Sequence, residues 1–151
     1  MQERIKQQLV YQLQPKLAEN LVALGNAAAA SLEPKLVHLI KLRASQLNGC
    51  AFCQHMHANE ARHDGELQER LDVLPGWHEL TVFTAAEKAA LQWTEQLTLL
   101  GGNKVDQQAF NALGEHFSEQ QIVDLSVTIA TINSWNRIAA GFNFSPDFGT
   151  N

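Results

Sequence analysis

Leucines, isoleucines and alanines recur three and four positions apart along most of this chain, and no run of alternating β-branched residues interrupts them. That spacing lines one face of an α-helix and does not suit a strand. Leu17, Leu21 and Leu24 lead into Ala27 to Ala30 and predict a helix of high intrinsic propensity. Leu36, Leu39, Ile40 and Leu47 form a second stripe, opened by Glu33-Pro34 because proline fits a first helical turn. A third helix covers Cys50 to His63 and stops at Asp64-Gly65, and a short one from Glu66 to Leu74 ends at Pro75-Gly76. Thr84 and Glu87 make a capping box for a helix with apolar positions Ala86, Ala90, Trp93, Leu97 and Leu100, closed by Gly101-Gly102-Asn103. A weaker helix is expected from Asp106 to His116. Ser118 and Gln121 form a second capping box, which opens the longest stripe: Ile122, Leu125, Ile129, Ile132, Asn136 and Ala139. The tail from Asn143 carries Pro and Gly and predicts no regular element. The expected fold class is all-α, a multihelical single domain over residues 1–151.

Composition narrows the function classes. A chain of 151 residues suits one domain, and 45% hydrophobic residues suffice for a core. The formal net charge of −5 repels phosphate backbones and anionic lipid, so neither nucleic acid nor a membrane surface is an expected partner. No apolar run follows the basic residues near the N-terminus, and no stretch approaches the roughly 18 apolar residues of a spanning helix. The expected compartment is therefore the cytoplasm.

The two cysteines, Cys50 and Cys53, stand three positions apart. A disulfide between them closes too short a loop to staple a fold, because that stabilisation grows with loop length. On a helix, positions i and i+3 share a face, close enough for a disulfide. Asn48-Gly49 supplies a start for that helix, since both residue types are favoured N-caps. The partial positive charge of the first turn then favours thiolate over thiol. His57, four residues after Cys53, lies over the same face and can exchange a proton with the sulfur. Two other readings of these residues stand beside the redox one. Cys50, Cys53, His57 and His63 could ligate zinc, although one helix hardly supplies four tetrahedral directions. The cysteines could also be small buried hydrophobes.

The block from Leu39 to Cys53 (Leu-Ile-Lys-Leu-Arg-Ala-Ser-Gln-Leu-Asn-Gly-Cys-Ala-Phe-Cys), with Met56-His57 and Ala61-Arg62, resembles the alkylhydroperoxidase AhpD-like family of the carboxymuconolactone decarboxylase superfamily. Glu87 to Glu95 and Ile132 to Arg137 look like the same subgroup, and the likeness covers about residues 15–142. The resemblance implies an AhpD-like all-α fold in subunits that assemble as homo-oligomers. It implies reduction of a small hydroperoxide, with a thiol or dithiol electron donor restoring the cysteines and with no cofactor or metal. By position, Cys53 matches the peroxide-attacking thiol, Cys50 the resolving thiol and His57 the relay histidine. The family's relay glutamate falls on His38, which shuttles protons near neutrality but brings no fixed negative charge. A histidine found before the second cysteine in relatives is Phe52 here. The decarboxylase branch usually lacks the cysteine pair. A disulfide-exchange, redox-sensing or metal-binding module without peroxidase turnover is the alternative from a different class.

Glu87 is a candidate replacement carboxylate for the relay, although its capping box with Thr84 already accounts for it. Glu95 could pair with Arg43 or Arg137 to orient the site. Trp93 and Trp135 fall in helical stripes and are expected in core or interface.

Overall fold

The computed structural model describes residues 2–149. Among them the chain forms α1 (Gln7–Leu13), α2 (Pro15–Ala29), α3 (Pro34–Leu47), α4 (Ala51–His63), α5 (Gln68–Asp72), a 3₁₀ turn (Leu74–Glu79), α6 (Ala85–Thr98), α7 (Gln107–Gly114) and α8 (Glu119–Phe142), with no strand. The all-α expectation holds. None of these helices is long and apolar enough to cross a membrane.

Capping chemistry sets most boundaries. The Glu33 carboxylate accepts the Leu36 N–H at the start of α3, with Pro34 in the first turn. Both capping boxes form, Thr84 with Glu87 opening α6 and Ser118 with Gln121 opening α8. Asp64 and Gly65 close α4, with the Glu66 N–H reaching back to the Ala61 carbonyl at 2.9 Å.

Several details differ from the sequence reading. Helix α1 is unheralded, because a glutamine-rich stretch with one buried residue, Val10, shows no apolar stripe. The short helix ends at Asp72, and Pro75-Gly76 lies inside the following 3₁₀ turn. Helix α6 stops at Thr98, ahead of the glycine pair, and α7 stops at Gly114.

Helix α3 is the hub and packs against α4, α6 and α8. Its Leu36, Val37 and Ile40 join Trp93, Leu113, Leu125 and Ile129 in one apolar cluster. Its Leu39 and Leu42 enter a second cluster with Ala61, Leu74, Trp77, Phe83 and Leu91. A third cluster gathers Val10, Cys50, Cys53, Ala139 and Phe144. The chain's two ends build that third cluster together. The Arg4 guanidinium donates to the Ala140 and Gly141 carbonyls at the end of α8, at 3.2 and 2.9 Å. Asn143 takes the left-handed conformation that ends α8, and this folds Phe144 back over the cysteines.

Candidate functional site

The start of α4 differs from the sequence reading in an instructive way. Asn48-Gly49 closes α3 and does not cap α4. The Gly49 N–H reaches the Gln46 carbonyl at 3.1 Å and the Cys50 N–H reaches that of Ser45 at 3.0 Å, with Gly49 at φ 63°. Glycine, with no Cβ, adopts that left-handed geometry at the least steric cost. The N-cap of α4 is Cys50 itself, whose sulfur accepts the Cys53 N–H at 3.2 Å. The two cysteines are joined as a disulfide with Cα atoms 5.3 Å apart, so they converge as their spacing predicts.

Both sulfur-bearing residues are buried, but they face different surroundings. Cys53 lines a cavity of about 290 Å³, and Cys50 lies behind it in the apolar cluster under Val10 and Phe144. The cavity wall is largely apolar and aromatic, with Tyr11, Leu21, Phe52, Met56, Trp135 and Phe144 prominent. Phe144 meets Phe52 and Tyr11 edge to face. Trp93 is core, as its stripe predicts, whereas Trp135 forms part of the cavity wall.

His57 lines the same cavity, one turn beyond Cys53. Its Nδ1 is 2.9 Å from a Glu60 carboxylate oxygen, and its Nε2 is buried without a hydrogen-bond partner among the described residues. A carboxylate accepts only, so Nδ1 carries the proton and Nε2 is left with a free lone pair. Glu60 itself also lines the cavity. The hydrogen bond from His57 holds the Glu60 carboxyl below its ordinary range, against the opposing effect of partial burial, and Lys41 and His38 nearby add to the lowering.

Glu60 was missed in the sequence. Its signal was present, because Cys53, His57 and Glu60 sit at spacings of four and three, one stripe on one helix.

His38 and Glu87, expected with the cysteines, do not line the cavity. His38 points its Nε2 at Asp64, 2.6 Å away, in a neighbouring hollow shared with Asn59, Glu60 and His63. It shares that hollow with Glu60, whose carboxyl it helps to hold below its ordinary range. His63, weighed with Cys50, Cys53 and His57 as a zinc ligand, lies in that hollow too. Glu87 completes its capping box and pairs with Arg70 of α5 at 2.6 Å, which ties α6 to α5. Glu95 does pair with Arg43, at 2.8 Å, and accepts the Trp77 indole N–H at 2.8 Å. None of these three lines the cavity, and Arg137 instead donates to Asn133.

An all-helical fold with a cysteine pair at the head of one helix and a histidine a turn further on defines a class, and the comparisons agree with it. The carboxymuconolactone decarboxylase family model matches residues 15–96. The chain belongs to that family, within its AhpD-like branch. It is 46% identical over 101 residues to the uncharacterized protein YdfG of Bacillus subtilis strain 168, a match covering 67% of this chain and 69% of YdfG. It is similar to the crystal structure of a protein of unknown function from Agrobacterium tumefaciens, ATU0492, which has been suggested to be the antioxidant defence protein AhpD. There the identity is 39% and the TM-score 0.89, over 97% of this chain and 99% of that one. The fold is also that of the debrominase Bmp8, at 19% identity and a TM-score of 0.78, over 93% of this chain and 76% of that one. At that identity the likeness is of fold alone. The family and the fold are ones that hold enzymes.

Proposed function

We propose that this chain is a thiol-dependent peroxidase that reduces small hydroperoxides through a Cys50–Cys53 dithiol–disulfide cycle. One observation carries the reading: the cysteine that lines the apolar cavity, Cys53, shares its helical stripe with a histidine whose Nε2 has no partner among the described residues, while the second cysteine is already bonded to the first.

The cycle follows from that placement. In the reduced protein His57 Nε2 accepts the Cys53 proton, and the helix N-terminus favours the resulting thiolate. The thiolate attacks the distal oxygen of the hydroperoxide, the O–O bond breaks, and the alcohol leaves with the proton held on His57. Cys53 is then a sulfenic acid. The Cys50 thiol attacks that sulfur, water leaves, and the disulfide forms. An external thiol or dithiol returns two electrons and two protons, regenerating the pair. Glu60 takes the place that the family pattern gives to a carboxylate at position 38: it fixes the His57 tautomer and stabilises the imidazolium that forms. His38 has no step of its own.

Replacement of single cysteines tests the roles. Cys53→Ser is expected to abolish peroxide consumption. Cys50→Ser is expected to stop at a sulfenic acid on Cys53 that a dimedone probe traps. Full activity in Cys53→Ser would overturn the proposal.

A further inference from the structure

Beside the cysteines lies a set of buried polar side chains to which the cycle above gives no work. Ser45 and Asn136 are almost fully buried, and Asn133 and Thr98 nearly so. With Asn48 they form one continuous chain of hydrogen bonds. Asn133 Nδ2 donates to Thr98 Oγ1 on α6 at 3.0 Å. Asn48 Nδ2 donates to Asn133 Oδ1 at 3.0 Å and to Asn136 Oδ1 at 2.9 Å. Asn136 Nδ2 donates to Ser45 Oγ at 3.0 Å, and that hydroxyl donates to the Lys41 carbonyl at 2.7 Å. The chain thus crosses from α6 over α8 to the end of α3.

It ends where the backbone turns into α4. Asn48 is two residues before Cys50, and the Ser45 carbonyl accepts both the Cys50 N–H at 3.0 Å and the Gln54 side-chain amide at 3.4 Å. Each of these amides would cost about 1–3 kcal/mol if left unpaired, and apolar side chains would fill the same core without that liability. A satisfied network does something apolar packing does not: it fixes one backbone geometry.

We infer that Asn48, Asn136 and Ser45 are positioning residues that pin the Asn48-Gly49-Cys50 turn so that the Cys50 sulfur lies against Cys53, and thereby set the equilibrium between dithiol and disulfide. This rests on the dithiol–disulfide interconversion of the cycle proposed above, not on its peroxide step. The equilibrium depends on the effective concentration of one thiol at the other, and a pinned turn raises it. The dithiol makes no such demand on the turn, so losing the network weakens the disulfide form more. By reciprocity, closing the disulfide tightens the network by the same free energy.

The test uses the full chain with Asn48→Ala and, separately, Asn136→Ala, equilibrated in dithiothreitol redox buffers and scored by alkylation of free thiols. Asn48→Ala is the milder change, because Asn48 is half-buried and its φ of −82° suits alanine. The expected result is a disulfide equilibrium constant lowered about tenfold, close to 30 mV toward a more oxidising potential. The unfolding midpoint should fall further in the oxidised form than in the reduced one. Ser126→Ala serves as control, since it removes the hydrogen bond from the Trp93 indole, 2.9 Å, on the same α8. It should lower stability and leave the potential unmoved. A wild-type equilibrium constant in Asn48→Ala, or an equal shift in Ser126→Ala, would overturn the inference. If Asn136→Ala does not fold, Asn48→Ala decides alone. The measurement uses no peroxide, so a shifted potential in a protein that consumes none would remove the peroxidase reading and leave this one standing.

Discussion

Replacing Glu60 by glutamine probes the proposed link from its carboxylate through His57 to Cys53. The substitution keeps the side chain's shape and removes the charge that meets His57 Nδ1 at 2.9 Å. A charge-assisted hydrogen bond contributes about 1.5–3 kcal/mol when both groups are dry. His57 is dry here, but the Glu60 side chain is 47% exposed, so solvent screens the pair. Screening reduces the effect to about 1 kcal/mol, or roughly fivefold in rate. His57→Ala, by contrast, removes the proton acceptor itself and is expected to lower kcat/KM by about 10²–10⁴-fold. In the proposed cycle Glu60 acts only through His57, so the double variant should be no slower than His57→Ala. The assay is single-turnover consumption of cumene hydroperoxide by pre-reduced protein, followed across pH. Unaltered kcat/KM in Glu60→Gln, or losses that multiply in the double variant, would refute the pairing.

Three other expectations concern stability and shape. The Glu60 carboxyl sits below its ordinary value of 4.5 in the folded chain. Its stabilising contribution is therefore present above that value and lost as pH falls through the folded pKa. Denaturant titrations should show wild type ahead of Glu60→Gln at pH 7 and level with it near pH 2, and an unchanged gap at acid pH would contradict this. Leu39 is fully buried in the cluster with Leu74, Trp77 and Leu91, so Leu39→Ala should cost about 2–5 kcal/mol by urea unfolding, and less than 1 kcal/mol would mean the cluster collapses freely. Phe144→Ala removes a side chain that lines the cavity beside Cys53 and packs in one cluster with both cysteines. It should make the disulfide react faster with a bulky thiol, read by stopped-flow, whereas an unchanged rate would show that the tail does not screen the sulfurs.

How much of this was legible in the sequence follows from where the determinants lie. Helices α3, α4, α6 and α8 announce themselves because their ends are written in local chemistry: Glu33-Pro34, Asp64-Gly65, Thr84 with Glu87, Ser118 with Gln121. Cys53 and His57 were legible for the same reason, since their relation is one of spacing within one helix. Asn48-Gly49 misled because the same dipeptide is good at starting one helix and at ending another, and only the hydrogen bonds back to Ser45 and Gln46 decide between them. His38 lies outside the cavity and meets a partner 26 residues away, Asp64, which no local pattern reveals. Phe144 lies in a tail with no periodicity, and its burial depends on the turn at Asn143 and on Arg4 from the other end of the chain. Asn136 falls within the α8 stripe by spacing alone, and no local pattern reveals that Asn48 faces it and Asn133.

The most direct measurement is a titration of the fully reduced protein with cumene hydroperoxide in the absence of any other thiol. Free thiols and product alcohol are counted at each addition. The account predicts that one equivalent of hydroperoxide yields one equivalent of alcohol and removes two thiols, which reappear as the Cys50–Cys53 disulfide in the peptide map. Hydroperoxide that persists while both thiols stay free would contradict it.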